Sequence, residues 1–145
     1  VTWKDCVAAI AHVMKHFSIQ ELVTPLRYKV RGDAAWFDFR PELLEGLALL
    51  REDWGATITI NDWSHRGRLV DCGLRDDGDT GAAFSGHKLG ACLDLHTADL
   101  QGLRNLVMRN YEKYGITEIE DSALTPTWVH VSWRHTGLAG LKVIK

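Results

Sequence analysis

Apolar positions recur along this chain in two periods, and their breaks mark out the elements. Residues 4–16 carry Val7, Ile10, Ala11, Val13 and Met14 at helical spacing, which predicts a helix. From Phe17 to Phe39 the pattern is mixed, with Pro25 and Gly32 interrupting it, and it reads as a structured loop. Pro41 suits the first turn of a second helix, where its missing N–H has no partner to lose. Leu43, Leu44, Leu47 and Leu50 then line one face, and Gly55 is placed to stop it. Thr57–Asn61 alternates polar and apolar β-branched residues and reads as a strand, and a second short strand is expected around Ala91–Leu95. Thr97 can cap a helix over 98–114, with Leu100, Leu103, Val107 and Tyr111 inward and Gly115 at its end. Ile116–Glu120 and Trp128–Trp133 read as an antiparallel pair across a polar turn, and Gly140–Ile144 as a last edge strand. This order favours an α+β fold with a small antiparallel sheet flanked by helices.

Composition narrows the function classes. A length of 145 residues fits one domain, 1–145, with a core of its own. Hydrophobic residues at 46% and charged ones at 25% are ordinary for a globular chain, which excludes wholesale disorder and low-complexity classes. A net charge of −2 argues against nucleic acid as the main partner, since phosphate binding calls for surplus Lys and Arg. No apolar run approaches the roughly 18–20 residues of a membrane span. The opening Val1-Thr2-Trp3-Lys4-Asp5 lacks the basic-then-apolar layout of a signal peptide, while the missing Met leaves a removed leader open. Cys6, Cys72 and Cys92 form no CxxC pair and predict neither a disulfide framework nor a cysteine zinc knuckle. Seven histidines and six tryptophans are a surplus for this size, and the histidines are the feature to follow.

The informative segment is Ser85-Gly86-His87-Lys88-Leu89-Gly90-Ala91-Cys92-Leu93-Asp94. A turn at Gly90 followed by a strand would aim His87 and Asp94 into one concave site. Imidazole nitrogen and carboxylate oxygen are both good zinc ligands. His130, mid-strand between Val129 and Val131, points away from their face and offers a third. Three protein ligands leave a fourth position open for water, whose pKa zinc lowers towards about 7, the layout of a hydrolytic site. Taken singly, His87 and Asp94 read by default as a surface histidine and a capping or turn aspartate, and His130 as a satisfied core histidine.

This segment resembles the SxHxxGxAxD signature of the zinc D-Ala-D-Ala peptidases, which include D-Ala-D-Ala carboxypeptidases and phage L-Ala-D-Glu endolysins. Ser85, His87, Gly90 and Asp94 match, and Cys92 stands where the family has alanine. Thr127-Trp128-Val129-His130-Val131 is similar to the family's later WxHV strand, whose histidine is the third zinc ligand. Ile58-Thr59-Ile60-Asn61-Asp62-Trp63 and Cys72-Gly73-Leu74-Arg75 are similar to segments ahead of the signature in phage-encoded members. The likeness covers roughly residues 40–135. It implies a Hedgehog/D-Ala-D-Ala-peptidase-like fold, a Zn2+ cofactor held by His87, Asp94 and His130, and hydrolysis of an amide bond in bacterial peptidoglycan peptides. It also implies a protein made in the bacterial cytoplasm, phage-encoded or phage-derived, that acts on the cell wall.

One departure matters. Many members place an acidic general base three residues before the last histidine, and Thr127 holds that place here. Glu120, on the preceding strand, is the expected base, with Asp121 second; Glu118 shares the face of Glu120 but lies farther from the turn. Ser132 stands where relatives often carry an aspartate. Arg75 is the expected oxyanion or carboxylate partner by similarity, with Arg66 and Arg68 behind it. The Hedgehog signalling domain uses the same scaffold and ligands for binding, so a non-catalytic zinc module is the alternative, followed by a phage structural, tail-associated protein.

The remaining features have plainer readings. Asp76-Asp77-Gly78-Asp79 lacks EF-hand spacing and reads as a solvated turn, and Ser85 as a turn hydrogen-bonder. His96 is either a neighbour of the ligands or a surface residue. His12 and His16, one helical turn apart, have no third ligand nearby and read as a helix face. Trp63, Trp128 and Trp133 are placed to line a groove; Trp3, Trp36 and Trp54 are assigned to the core, and Cys92 to a small buried hydrophobe.

Overall fold

Thr2 begins the first helix in the computed structural model, which describes residues 1–79, 81 and 85–145. Its hydroxyl accepts from Asp5 N at 3.2 Å while the Asp5 carboxylate accepts from Thr2 N at 2.9 Å, a reciprocal cap that starts α1 (Trp3–Val13). Ala9 and Val13 are the buried positions of this helix, whereas Val7 and Met14 of the expected stripe are exposed.

The stretch read as loop between Phe17 and Phe39 is mostly helical. A 3₁₀ turn at Ile19–Glu21 precedes α2 (Pro25–Arg31), and a second 3₁₀ segment runs over Gly32–Asp38. Pro25 was read as a breaker, but it opens α2, with Thr24 Oγ1 accepting from Arg27 N at 3.1 Å. The next helix, α3 (Pro41–Trp54), follows its pattern: Leu43, Leu44, Leu47 and Leu50 are buried, and Gly55 at φ 69° closes it in the left-handed conformation.

The Thr57–Asn61 strand does not form. Ile58 and Ile60 are buried as alternation requires, yet only Thr59 bridges, to His96. The chain turns off because Asn61 is claimed elsewhere: its N donates to Glu21 O, its Nδ2 to Val23 O, and its Oδ1 accepts from Cys72 N. Residues 64–86, rich in Gly, Asp and Arg, read as a long loop from sequence; Thr80 and residues 82–84 of it lie outside the described residues.

Strand β1 (Cys92–Leu95) leads to α4 (Leu100–Tyr114). Asp99, not Thr97, caps α4 by accepting from Gly102 N at 2.9 Å; Thr97 Oγ1 instead accepts from Trp54 Nε1 and donates to Thr57 O. Gly115 at φ 68° ends the helix. Then come β2 (Glu118–Glu120), β3 (Val129–Ser132) and β4 (Lys142–Ile144). The sheet order is β1-β3-β2-β4. The first two pairings are antiparallel, but β2 and β4 are parallel, so the sheet is mixed rather than antiparallel throughout. After β3 the chain reverses through residues 133–141 and passes beyond β2 to its far edge. A strand antiparallel to β3 there must run parallel to β2.

Alternation then sorts the sheet into two faces. Leu93, Leu95, Ile119, Val129 and Val131 are buried against the helical layer. Cys92, Asp94, Glu118, Glu120, His130 and Ser132 share the other face. The fold is α+β with all helices but one ahead of the sheet, and among the described residues no helix is long and apolar enough to cross a membrane.

Candidate metal centre

The register of β1 against β3 sets Asp94 directly opposite His130 on the polar face. His87 reaches the same point from the turn before β1. That turn is closed by Lys88 N and Leu89 N donating to Ser85 O, and by Ala91 N donating to Gly86 O. It reverses at Gly90, φ 66°, where a Cβ would stand 2.4 Å from Asp38 O, so glycine is required by both conformation and space. The Ser85 hydroxyl accepts from His87 N at 3.3 Å, the turn role expected of it.

Three donor atoms converge. His130 Nδ1 lies 2.8 Å from Asp94 Oδ1, and His87 Nε2 lies 3.3 Å from both Asp94 Oδ1 and His130 Nδ1. Gly73 O, which can only accept, lies 2.9 Å from His87 Nδ1. The His87 proton therefore sits on Nδ1, and Nε2 presents its lone pair to the cluster. Burial alone would lower His130, but hydrogen bonding to Asp94, and then to Cys92, outweighs it and pushes the imidazole up to about 10. Burial would raise Asp94, and the bond from His130, with the two imidazoles close by, overcomes that and holds it well below the usual carboxylate range. Both shifts describe a pocket that favours positive charge among these atoms.

The donor set fits a metal ion. Bonds of about 2.0–2.1 Å at tetrahedral angles place ligand atoms about 3.3 Å apart, which two of the three separations match. His87, Asp94 and His130 form a potential metal-binding triad. It opens on a cavity of about 310 Å³ lined also by Arg75, Glu118, Glu120, Trp128 and Arg134.

Glu120 lines this cavity, with Oε1 3.9 Å from His130 Nε2. Asp121 does not; its Oδ1 accepts from Ala123 N in the turn. Arg75 holds Asp71 O through Nε at 2.8 Å and points Nη2 at Asp94 Oδ2 from 3.5 Å. The acidic turn beside it is occupied with other partners: Asp76 binds Arg27 and Thr24, and Asp79 accepts from Asp76 N. Arg66 and Arg68 are not among the lining residues, and His96 Nδ1 faces Thr59 O instead of the triad.

The tryptophans divide differently from expectation. Trp128 lines the cavity, but Trp133 is buried, donating through Nε1 to Tyr114 O, and Trp63 donates to Val23 O. Trp36 is core, whereas Trp3 is 70% exposed and stacks on Phe37. Cys92 is buried as expected, and burial, followed by the charge of Asp94, pushes the Cys72 thiol up to about 12.

Two contributors were invisible in one dimension. Arg104, which no motif singles out, is buried and donates to the carbonyls of Glu120, Thr125 and Trp128, bracing the β2–β3 turn that carries Glu120. Arg134 reaches the cavity beside Glu118, with Nε 3.8 Å from Oε1. Only the neighbouring of β2 and β3 could have placed it there. No family model, curated protein sequence or solved structure matches the chain.

Proposed function

We propose that the chain is a zinc peptidase hydrolysing an amide bond in bacterial peptidoglycan peptides, as the resemblance around His87, Asp94 and His130 implies. The observation that carries the reading is the meeting of two imidazole nitrogens and one carboxylate oxygen within 3.3 Å at the wall of an open cavity. Zinc held there would polarise the scissile carbonyl and acidify a water. Glu120, which lines the same cavity, would take the proton of the attacking water as its oxygen adds to the carbonyl carbon. It then delivers the proton to the amine as the C–N bond breaks. Gly73 O fixes the tautomer of His87, and Arg104 holds the backbone on which Glu120 sits. Arg75 and Arg134 supply guanidinium groups for a peptide carboxylate or a developing oxyanion.

A non-catalytic zinc module is the second reading, and two observations favour it. Thr127, exposed, replaces the expected acid, and Glu120 Oε1 stands 3.9 Å from His130 Nε2, the nitrogen turned away from Asp94. A carboxylate there can steady the ligand without touching a substrate.

Digestion of purified peptidoglycan followed by mass spectrometry separates the two. The enzyme reading expects new amino termini from the zinc-loaded wild type and a loss of about 10²–10⁴-fold in Glu120→Gln. Zinc binding that His87→Ala removes, with no cleavage by the wild type, supports the module instead. Equal cleavage by Glu120→Gln removes Glu120 as the base.

A further inference from the structure

The second histidine pair is not the bare helix face its spacing implied. His12 lies in the last turn of α1, and the chain keeps winding past it, with His16 N and Phe17 N both donating to Val13 O. His12 and His16 therefore stay on one side, with ring centroids 6.5 Å apart. The partner absent from the local sequence comes from α3, packed alongside. Glu52 Oε2 lies 2.9 Å from His12 Nε2 and 2.8 Å from His16 Nε2. Glu45, two turns earlier on α3, places Oε1 2.7 Å from His12 Nδ1.

The direction of the protons gives this cluster its chemistry. When His12 donates its Nδ1 proton to Glu45, its Nε2 carries a lone pair aimed at Glu52. His16 Nε2 is aimed at the same oxygen, so with both Nε2 atoms unprotonated three electron pairs converge where a cation fits. A carboxylate on the far nitrogen of an imidazole, with the near nitrogen free, is the arrangement that orients histidine for a metal. An i, i+4 histidine pair with a carboxylate from the adjacent helix supplies a facial three-donor set, suited to borderline divalent ions. The side chains are only partly covered, His12 at 21% and His16 at 22% exposed, which leaves room for water in the other positions.

We propose that His12, His16 and Glu52 form a second site for a divalent transition ion of the zinc, nickel or copper class, with Glu45 orienting His12. The site is independent of the sheet triad and of any peptidase activity. Calorimetric titration of the chelator-stripped full chain with Ni2+, and separately with Zn2+, tests it. Two binding classes are expected, the weaker lost in both His16→Ala and Glu52→Gln and retained in His87→Ala, which removes only the tighter. Glu45→Gln should weaken the second class roughly 10–100-fold without abolishing it. Circular dichroism of each variant in chelator confirms that it is folded, and Glu52→Gln changes only an exposed carboxylate. A single class in wild type that His87→Ala removes, or a second class that survives in both His16→Ala and Glu52→Gln, overturns the proposal. A chain in which His87→Ala changes nothing while His16→Ala removes all binding leaves this site standing and removes the triad.

Discussion

Two groups of two histidines and a carboxylate stand on this molecule, and they are built by opposite means. The group at His87, Asp94 and His130 is buried and set by backbone hydrogen bonds: strand register aligns Asp94 with His130, and a closed turn delivers His87. The group at His12, His16 and Glu52 lies at the surface and is set by side chains leaning across two packed helices. His87 and Asp94 are buried and His130 partly so, which leaves them fewer waters to turn to, and a proton or a cation relieves the crowding of their donor atoms. The exposed atoms can rotate into solvent when nothing is bound. A preformed site and a site assembled by its ion are the two outcomes.

The largest expected difference is in metal-linked stability. At about 1,000 times its Kd, zinc on the buried triad stabilises the fold by about 4 kcal/mol, on the order of 10 °C in Tm for a chain of this length. The exposed site, held only about ten times above its Kd by the same zinc, contributes roughly a third as much. Thermal melts in chelator and in zinc measure both, with His87→Ala and His16→Ala assigning them. A larger loss of the zinc shift in His16→Ala than in His87→Ala reverses the ranking.

The turn carrying His87 allows a test of rigidity without touching a ligand. A Cβ on Gly86 would lie 1.9 Å from Cys92 Sγ and 3.0 Å from Arg134 Cδ. Cys92 is held in β1, so Gly86→Ala must displace the turn, and overpacking of this kind costs about 1–3 kcal/mol. The variant should lose stability in chelator and, because His87 moves, also weaken the tighter metal class. Retention of full metal affinity would mean that the buried triad is as adaptable as the exposed one.

These contrasts also explain what could be read in one dimension. Periodicity located α3, α4 and the strand pair because each buries a regular stripe of its own, and it located α1 although Val7 and Met14 of the expected stripe are exposed. It missed α2, where Pro25 is locally ambiguous between breaker and first-turn residue, and it invented a strand at Thr57–Asn61, whose alternation is real but whose hydrogen bonds go to residues 21, 23 and 72. The parallel pairing of β4 depends on where a nine-residue excursion ends, which no local pattern encodes. The group of His87, Asp94 and His130 was legible chiefly through its resemblance to the zinc-peptidase signature, since spacing and alternation alone left each residue a plainer reading. Glu52 was not legible as a partner of His12, 40 residues away, because helix packing alone joins them. Arg104 was hidden for the same reason: a buried arginine on an amphipathic helix looks polar until the carbonyls it serves have a place.

The smallest expected effect is the sharpest check on the comparison. His16→Gln in chelator should leave Tm unchanged within measurement, because an exposed imidazole–carboxylate pair exchanges one set of partners for water at little cost. Ser18 and Glu21 already cap the next turn, so the chain beyond α1 does not depend on the His16 ring for its direction. If His16→Gln instead destabilises as much as Gly86→Ala, the pair is a clamp between α1 and α3 that the fold needs in every state. The exposed group would then be structural, Glu52 would be held in place before any ion arrives, and the distinction between a preformed site and an assembled one would disappear. Burial alone would no longer decide which carboxylate–histidine group is rigid; the anchoring of the helices that carry it would.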